Sequence, residues 1–366
     1  MNLEEAKYII SQFDLGGKLI YCEPFGEGNI NSSYMFCMLY ETTAPKRFML
    51  QKVNTTIFLE PMALMRNISL VTEYLKGKIE KAGGDPMRET LTIVKTSKGD
   101  LAYKAEDGYY RVYPFIEEAT CHQQATPELF YNSAKAFGKF ARQLEGFDAS
   151  LLVDAIPNFH NTPMRYDHFM ESVEKDVAGR VGSCKEEIAF LMEQKNLASV
   201  IVDEIEKGTI PVRVCHNDTK LNNVMMDNKT EEGVCVIDLD IVMQGSLLYD
   251  VGDSIRFGAT TAGEDEGNLD LVSCDLEKYE IFIKGYLEEC ISVMSEKEIS
   301  LLPYGGIVIT YEQALRFLGD YFNGDTYYKV DYPEHNLVRG RNQIKLVQDM
   351  LAHLEELNAI TKKYVK

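Results

Sequence analysis

His216-Asn217-Asp218-Thr219-Lys220-Leu221-Asn222-Asn223 is followed, after a polar stretch, by the apolar run Val234-Cys235-Val236-Ile237-Asp238. Val212–Cys215 before the loop and Val234–Leu239 after it are short and β-rich, with a turn at Asp227–Gly233, so the pattern predicts a hairpin here. Asn and Asp are common in polar turns because their side chains bond their own backbone. His-x-Asp alone would mean no more than that. The joint spacing is far more restrictive: an Asp, an Asn five residues later, then a strand that ends on a second Asp.

That spacing is the one a catalytic loop for phosphoryl transfer requires. The reaction asks for little covalent chemistry and much positioning: an acceptor hydroxyl must be oriented and Mg²⁺ held against the triphosphate of ATP. Asp218 is expected to orient the hydroxyl and accept its proton. Asn223 and Asp238 supply the hard oxygen ligands that Mg²⁺ prefers. Lys220 is placed to reach the γ-phosphate and offset its charge. His216 has no proton to move in this scheme and is assigned to hydrogen bonding within the loop. Upstream, Gly26-Glu27-Gly28-Asn29-Ile30-Asn31 begins like a nucleotide-covering glycine loop, although Asn31 stands where a third glycine is expected. Gly26, Gly28 and Asn29 are its nucleotide-binding candidates. On the next strand but one, Gln51 and Lys52 occupy the place of the phosphate-pairing lysine, and they point to opposite faces.

The two flanks of the loop differ in character. Over the first hundred residues strands dominate, Arg47–Val53 among them, with Tyr109–Ile116 just beyond, and Leu64, Ile68, Val71 and Leu75 mark one interrupting helix within Met62–Lys76. From Thr126 the pattern turns helical: Thr126 caps, Pro127 suits the first position, and Phe130, Ala134, Phe137, Ala141 and Leu144 recur on one face. Further helical stretches cover about 167–207, 275–292 and 296–323, with a long C-terminal helix after them. The expected fold is therefore α+β and two-lobed, like a protein kinase. A small antiparallel-sheet N-lobe, residues 1–116, covers the nucleotide, and a larger, mainly helical C-lobe, 117–366, carries catalysis and substrate. The hinge is expected in Tyr113–Glu118, which makes Tyr113 a further nucleotide-binding candidate.

A chain of 366 residues is long enough for two such lobes. Its 57 acidic side chains and net charge of −19 repel nucleic acid and anionic lipid, so neither is an expected partner. A small-molecule substrate is expected instead, on a monomer or weak homo-oligomer. The acidic start Met1-Asn2-Leu3-Glu4-Glu5 and the lack of a long apolar run point to the cytoplasm. Eight scattered cysteines show no metal-ligand spacing and read as reduced, structural thiols.

With these residues in view, the chain resembles the aminoglycoside phosphotransferase family, whose members phosphorylate small alcohols on a kinase-like fold. The resemblance rests on His216-Asn217-Asp218, Asn223, Ile237-Asp238 and Tyr249-Asp250. Within that family the longer strings look most like the N-acetylhexosamine 1-kinases: Gly28-Asn29-Ile30-Asn31, Gly252-Asp253-Ser254-Ile255-Arg256-Phe257-Gly258, Arg316-Phe317-Leu318 and Tyr332-Pro333-Glu334-His335-Asn336. The resemblance implies ATP and Mg²⁺, transfer to the anomeric hydroxyl of a sugar, and a sugar pocket shaped by Phe257, Arg316 and Tyr327. The chain departs from typical kinases in two places. Gln51 stands in the register of the third-strand lysine, and Asp238-Leu239-Asp240 lacks the glycine of the protein-kinase D-F-G. Asp240 reads either as a further metal or sugar ligand or as a salt-bridge partner.

Overall fold

The computed structural model describes residues 2–26 and 30–365 and divides into two compact units. The first comprises the chain up to Cys121, with Gly146–Ile156 and Val224–Met243. It opens with α1 (Leu3–Ile10), whose Asn2 and Glu5 form a reciprocal capping box. Next come β1 (Lys18–Pro24), β2 (Ser32–Leu39), β3 (Lys46–Val53), α2 (Pro61–Lys81), the single turn α3 (Pro86–Glu89), β4 (Tyr103–Ala105) and β5 (Gly108–Pro114). The five strands make an antiparallel sheet in the order β1-β2-β3-β5-β4.

Alternation of side chains along the strands sets the use of each face. Phe36 and Met38, Phe48 and Leu50, Tyr110 and Val112 lie with Ala6, Ile9 and Ile10 of α1 in one apolar cluster. One residue out of step with Leu50 and Val112, Gln51 and Arg111 are directly paired across β3 and β5 and so share the opposite face. The expectation of a single helix among the early strands needs correcting, since α1 and α3 add two. α1 buries only Ala6, Ile9 and Ile10, and α3 is a single turn with no buried residue. α2 shows a periodic apolar stripe, burying Leu64, Ile68, Val71, Leu75 and Ile79. Within that stripe the amide of buried Asn67 donates to the carbonyls of Val153 (2.7 Å) and Val242 (3.1 Å), fixing two distant segments to the helix.

The predicted hairpin exists, but with a different first arm. Val224–Asp227 (β8) pairs with Gly233–Val236 (β9), and Ala119–Thr120 (β6) adds to β8, whereas the run before the loop forms a separate strand, β7 (Arg213–Cys215). Val224-Met225-Met226 was hidden in the sequence by the polar residues on either side of it.

The second unit holds α4 (Pro127–Gln143), α5 (Thr162–Lys175), α6 (Lys185–Glu193), α7 (Val202–Glu206), β7, α8 (Leu247–Gly258), α9 (Leu276–Cys290), α10 (Glu296–Phe322), α11 (His335–Ala352) and α12 (Leu354–Lys363). Strand β10 (Met243–Gly245) runs across the boundary in the chain. Thr126 caps α4 by accepting from the Leu129 N–H at 3.2 Å, as the sequence indicates. The helical stretch 167–207 is broken: Asp176 takes a left-handed conformation at the end of α5 (φ +38°), and 3₁₀ turns flank α6 on either side.

The position of α8 is set by a glycine contact with α10. A β-carbon on Gly252 would lie 2.3 Å from the Gly305 carbonyl oxygen, so only glycine lets the two backbones approach this closely. α8 is thereby sunk into the unit, with Leu247–Arg256 all buried.

Candidate active site

The chain leaves β7 at Cys215 and enters the loop that begins with His216. The backbone N–H groups of His216 and Asn217 both donate to the carboxylate of Asp250 on α8, at 2.9 and 2.7 Å. Asn217 turns there with φ +66°, a conformation Asn tolerates better than most residues. One step on, the Thr219 N–H donates to Asp253 (3.0 Å), its hydroxyl to the Asp250 carbonyl, and the Ser254 hydroxyl to the Thr219 carbonyl (2.7 Å). The His216 ring is buried edge-on to Phe137 and Phe140 of α4, and its Nδ1 accepts from the Asp218 N–H at 3.2 Å. A single buried helix thus satisfies the loop backbone on both sides of Asp218. Burial raises the Asp250 carboxyl above its ordinary range, although the N–H donors and the imidazole oppose this.

On that frame, Lys220 Nζ lies 2.7 Å from Asp218 Oδ1, and the Asn223 amide donates to Asp218 Oδ2 at 2.9 Å and to the Asp218 carbonyl at 2.8 Å. The Asp218 and Lys220 side chains remain 24% and 34% exposed, so a ligand can reach them. Burial pushes the Asp218 carboxyl up, but the Lys220 ammonium, with His216 and Asn223, outweighs it and holds the carboxyl below the usual range. For Lys220 burial acts downward, and Asp218 and Asp253 hold its ammonium above the ordinary value.

The Lys220 ammonium also stands 5.8 Å from the centre of the Phe257 ring. A cavity of about 350 Å³ opens beside them, lined by Thr219, Lys220, Leu221, Ser254, Arg256 and Phe257 among others. Its volume is of the size that takes one small metabolite. Arg256 is fixed in its wall by Asp253 (3.2 Å) and Glu264 (2.5 Å). Of the three residues expected to shape a sugar pocket, only Phe257 lines this cavity. Arg316 and Tyr327 form a separate cluster instead, with the guanidinium 5.8 Å from the Tyr327 ring, 5.5 Å from Tyr328 and 5.7 Å from Phe159.

In the first unit, Asp238 follows β9 in a left-handed conformation (φ +59°) and leads into the 3₁₀ turn Leu239–Ile241. Asp240 forms a buried ion pair with Arg111 at 2.5 Å, as its reading as a salt-bridge partner expects. Arg111 Nε donates to Gln51 Oε1 at 3.0 Å, and Gln51 in turn donates to the Ser33 hydroxyl at 3.0 Å. Lys52 points the other way and pairs with Asp107. Tyr113 is buried with its ring 5.4 Å from the Arg111 guanidinium, and burial pushes its phenol well up. Gly26 has φ +81°, whereas the candidates Gly28 and Asn29 lie outside the described residues.

Sequence reasoning named Asp250 and Asp253 only inside family strings and gave Arg111 no chemical role. For Asp250 a signal existed, because a carboxylate set within the apolar run Leu247-Leu248-Tyr249-Asp250-Val251 must find buried donors. For Arg111 none did, since its partner Asp240 is 129 residues away.

The match to known proteins agrees with this geometry. The phosphotransferase enzyme family matches residues 91–273, half of the 366. The chain belongs to that family. A probable ethanolamine kinase of Nematostella vectensis is 25% identical over 112 residues, so the match spans 31% of this chain and only 30% of that relative's length. Among solved structures, spectinomycin phosphotransferase in complex with ADP and spectinomycin superposes with a TM-score of 0.57 at 14% identity, over 97% of this chain and 99% of that one. Choline kinase from Cryptosporidium parvum gives 0.57 at 14% identity, over 99% of each chain. These likenesses show the shared fold, an antiparallel sheet toward the N-terminus and helices toward the C-terminus.

Proposed function

We propose that the chain is an ATP- and Mg²⁺-dependent small-molecule kinase that phosphorylates the anomeric hydroxyl of an N-acetylhexosamine, N-acetylglucosamine or N-acetylgalactosamine, to the sugar 1-phosphate. The observation that carries the kinase reading is the Asp218 carboxylate, kept ionised by Lys220, braced by Asn223 and set on a loop pinned to α8. An ionised carboxylate with a spare lone pair orients an alcohol and receives its proton as the oxygen attacks phosphorus. Lys220, in contact with that carboxylate, balances charge as it grows on the transferred group.

Asn223 and Asp238 are the residues that would hold Mg²⁺. Both offer oxygen, and among the described residues no cluster of three or more His, Cys, Asp or Glu side chains forms a complete metal cage. Such a sparse donor set suits a cation that takes most of its ligands from phosphate and water. When bound, the ion neutralises charge on the phosphate oxygens. In this reading residues 1–116 cover the nucleotide, with Gly26, Gly28, Asn29, Gln51 and Tyr113 toward it, and 117–366 carry catalysis and substrate.

The sugar is supported by the cavity beside Lys220. It combines an aromatic face, Phe257, with polar groups such as Arg256, which is what a polyhydroxylated ring with an acetyl methyl needs. All eight cysteines are free thiols, in keeping with a reducing compartment. The stretch shared with a probable ethanolamine kinase favours a second reading, another small alcohol such as choline, homoserine or a different sugar. The test is ATP consumption across a panel of sugars and amino alcohols, with phosphorus NMR of the product. An anomeric phosphate from an N-acetylhexosamine is expected. Turnover confined to amino alcohols would replace the sugar with the second reading, and no ATP consumption with any alcohol would defeat both.

A further inference from the structure

Kinases commonly fix the nucleotide phosphates with a third-strand Lys, itself held by a Glu from the helix that comes next. Among the described residues no such Lys–Glu pair joins β3 to α2. Gln51 takes the strand position, and Lys52 is engaged by Asp107 at 2.5 Å. Where α2 approaches the site it offers Met65, fully buried, with its sulfur 4.0 Å from Arg111 Nη1. The buried ion pair of this unit is Arg111 with Asp240, 2% and 5% exposed.

Four segments meet at that pair. Arg111 stands on β5 opposite Gln51 of β3 and donates to it at 3.0 Å. The second oxygen of Asp240 accepts from the Asn31 amide, and Asn31 Oδ1 accepts from the Asn54 N–H at 2.9 Å. Asn31 immediately precedes β2, and Asp240 lies two residues past Asp238, within the 3₁₀ turn Leu239–Ile241. A buried guanidinium and carboxylate tolerate displacement poorly, because each is costly to bury without the other. Asp238 takes a left-handed backbone (φ +59°) just before this turn, and the Arg111 guanidinium lies close enough to feel its charge.

We propose that the Arg111–Asp240 pair replaces the missing Lys–Glu pair, with Arg111 as a positioning residue that holds the Asp238 turn and Asn31 in register for Mg²⁺-nucleotide. The inference rests on the kinase reading above. It assigns Arg111 no contact with the reacting atoms. The pair holds the turn that Asp238 leads into and anchors Asn31, at the start of β2, to the same point.

The experiment measures ADP affinity by calorimetry with and without Mg²⁺, on the full chain, alongside thermal unfolding. In the wild type Mg²⁺ is expected to strengthen ADP binding. The double variant Arg111→Met/Asp240→Leu replaces the pair by apolar groups of similar size, a change that buried ion pairs often survive. It should unfold cooperatively yet lose at least about tenfold of the Mg²⁺ enhancement, as Asp238→Ala should. A pair that only stabilised the fold would move the melting temperature and leave the enhancement intact, and that result overturns the proposal. Asp240→Asn, which keeps shape and removes charge, provides the same test if the double variant does not fold: a reduced enhancement supports the proposal, and an unchanged one overturns it. Should the wild type bind no ADP, the kinase reading falls and takes this inference with it. Mg²⁺-dependent binding that is identical in wild type and variants overturns the inference alone.

Discussion

Two turns carry the carboxylates on which this chain's chemistry is proposed to rest, and they are held by opposite means. The Asp218 loop is fixed through its backbone: the N–H groups of His216, Asn217 and Thr219 donate to Asp250 and Asp253, which a buried helix supplies. The turn after Asp238 is linked through side chains instead, with the Arg111 guanidinium and the Asn31 amide on the two oxygens of Asp240. The first arrangement distributes the load over several directional hydrogen bonds, so no one of them sets the geometry alone. The second concentrates it on charge balance, and loss of either partner leaves a buried ion at a cost of about 3–5 kcal/mol. Position in the first case depends on α8 staying where the Gly252–Gly305 contact puts it, and in the second on two buried side chains that stay together.

The largest effect is expected where the held group is itself the reactive one. Asp218→Asn keeps the shape of the loop and removes the base, so kcat should fall roughly 10²–10⁴-fold while the melting temperature stays near that of the wild type. Near-normal turnover would take Asp218 out of the mechanism and leave the clamped loop without a purpose. Asp250→Asn probes the clamp instead. It puts an amide nitrogen where one oxygen accepts from a backbone N–H, and a buried donor left without an acceptor costs about 1–3 kcal/mol. Misplacement of Asp218 by a fraction of a turn should add a loss in kcat of up to about 10²-fold. Unfolding and steady-state kinetics on one sample decide it. Lower stability with full activity would show that the loop holds its shape without α8.

The same contrast explains what could be read in advance. The Asp218 loop was legible because its functional residues are close in sequence: Asp218, Lys220 and Asn223 fall within six positions, and Asp238 ends the next apolar run. Strong caps and stripes, such as Thr126 with Phe130 and Phe137, were legible for the same local reason. The helix pattern failed at 167–207, where Asp176 and the 3₁₀ turns interrupt a stretch whose composition still favours helix. The first arm of the hairpin was missed because the short apolar run of β8 lies between polar residues on both sides. Arg111 and Asp240 were out of reach for a different reason. Nothing at either position announces an ion pair, and only the topology of the sheet brings β5 and the turn after β9 together.

Lys220 permits the finest test, because it separates the charge on the clamped loop from the loop's shape. Lys220→Met keeps the backbone hydrogen bonds and removes the ammonium that lies 2.7 Å from Asp218. Solvent screens a lysine that is a third exposed, so the loss in kcat is set at about tenfold, toward or below the lower end for removal of one charge-stabilising donor. The pH dependence carries more information. In the wild type the Asp218 carboxyl lies below its ordinary value, so its contribution to stability is present above that ordinary value and is lost as the pH falls through the lowered one. Without Lys220 the burial that raises the carboxyl loses its main opponent, and the carboxyl moves up from its lowered value. The acid limb of kcat/KM should then move to higher pH, and acidification should destabilise the variant less than it destabilises the wild type. Melting temperatures across the acid range, measured with pH–rate profiles of both proteins, give the comparison. Superimposable acid limbs would mean that the hydrogen bonds of the loop, without the lysine's charge, keep Asp218 ionised.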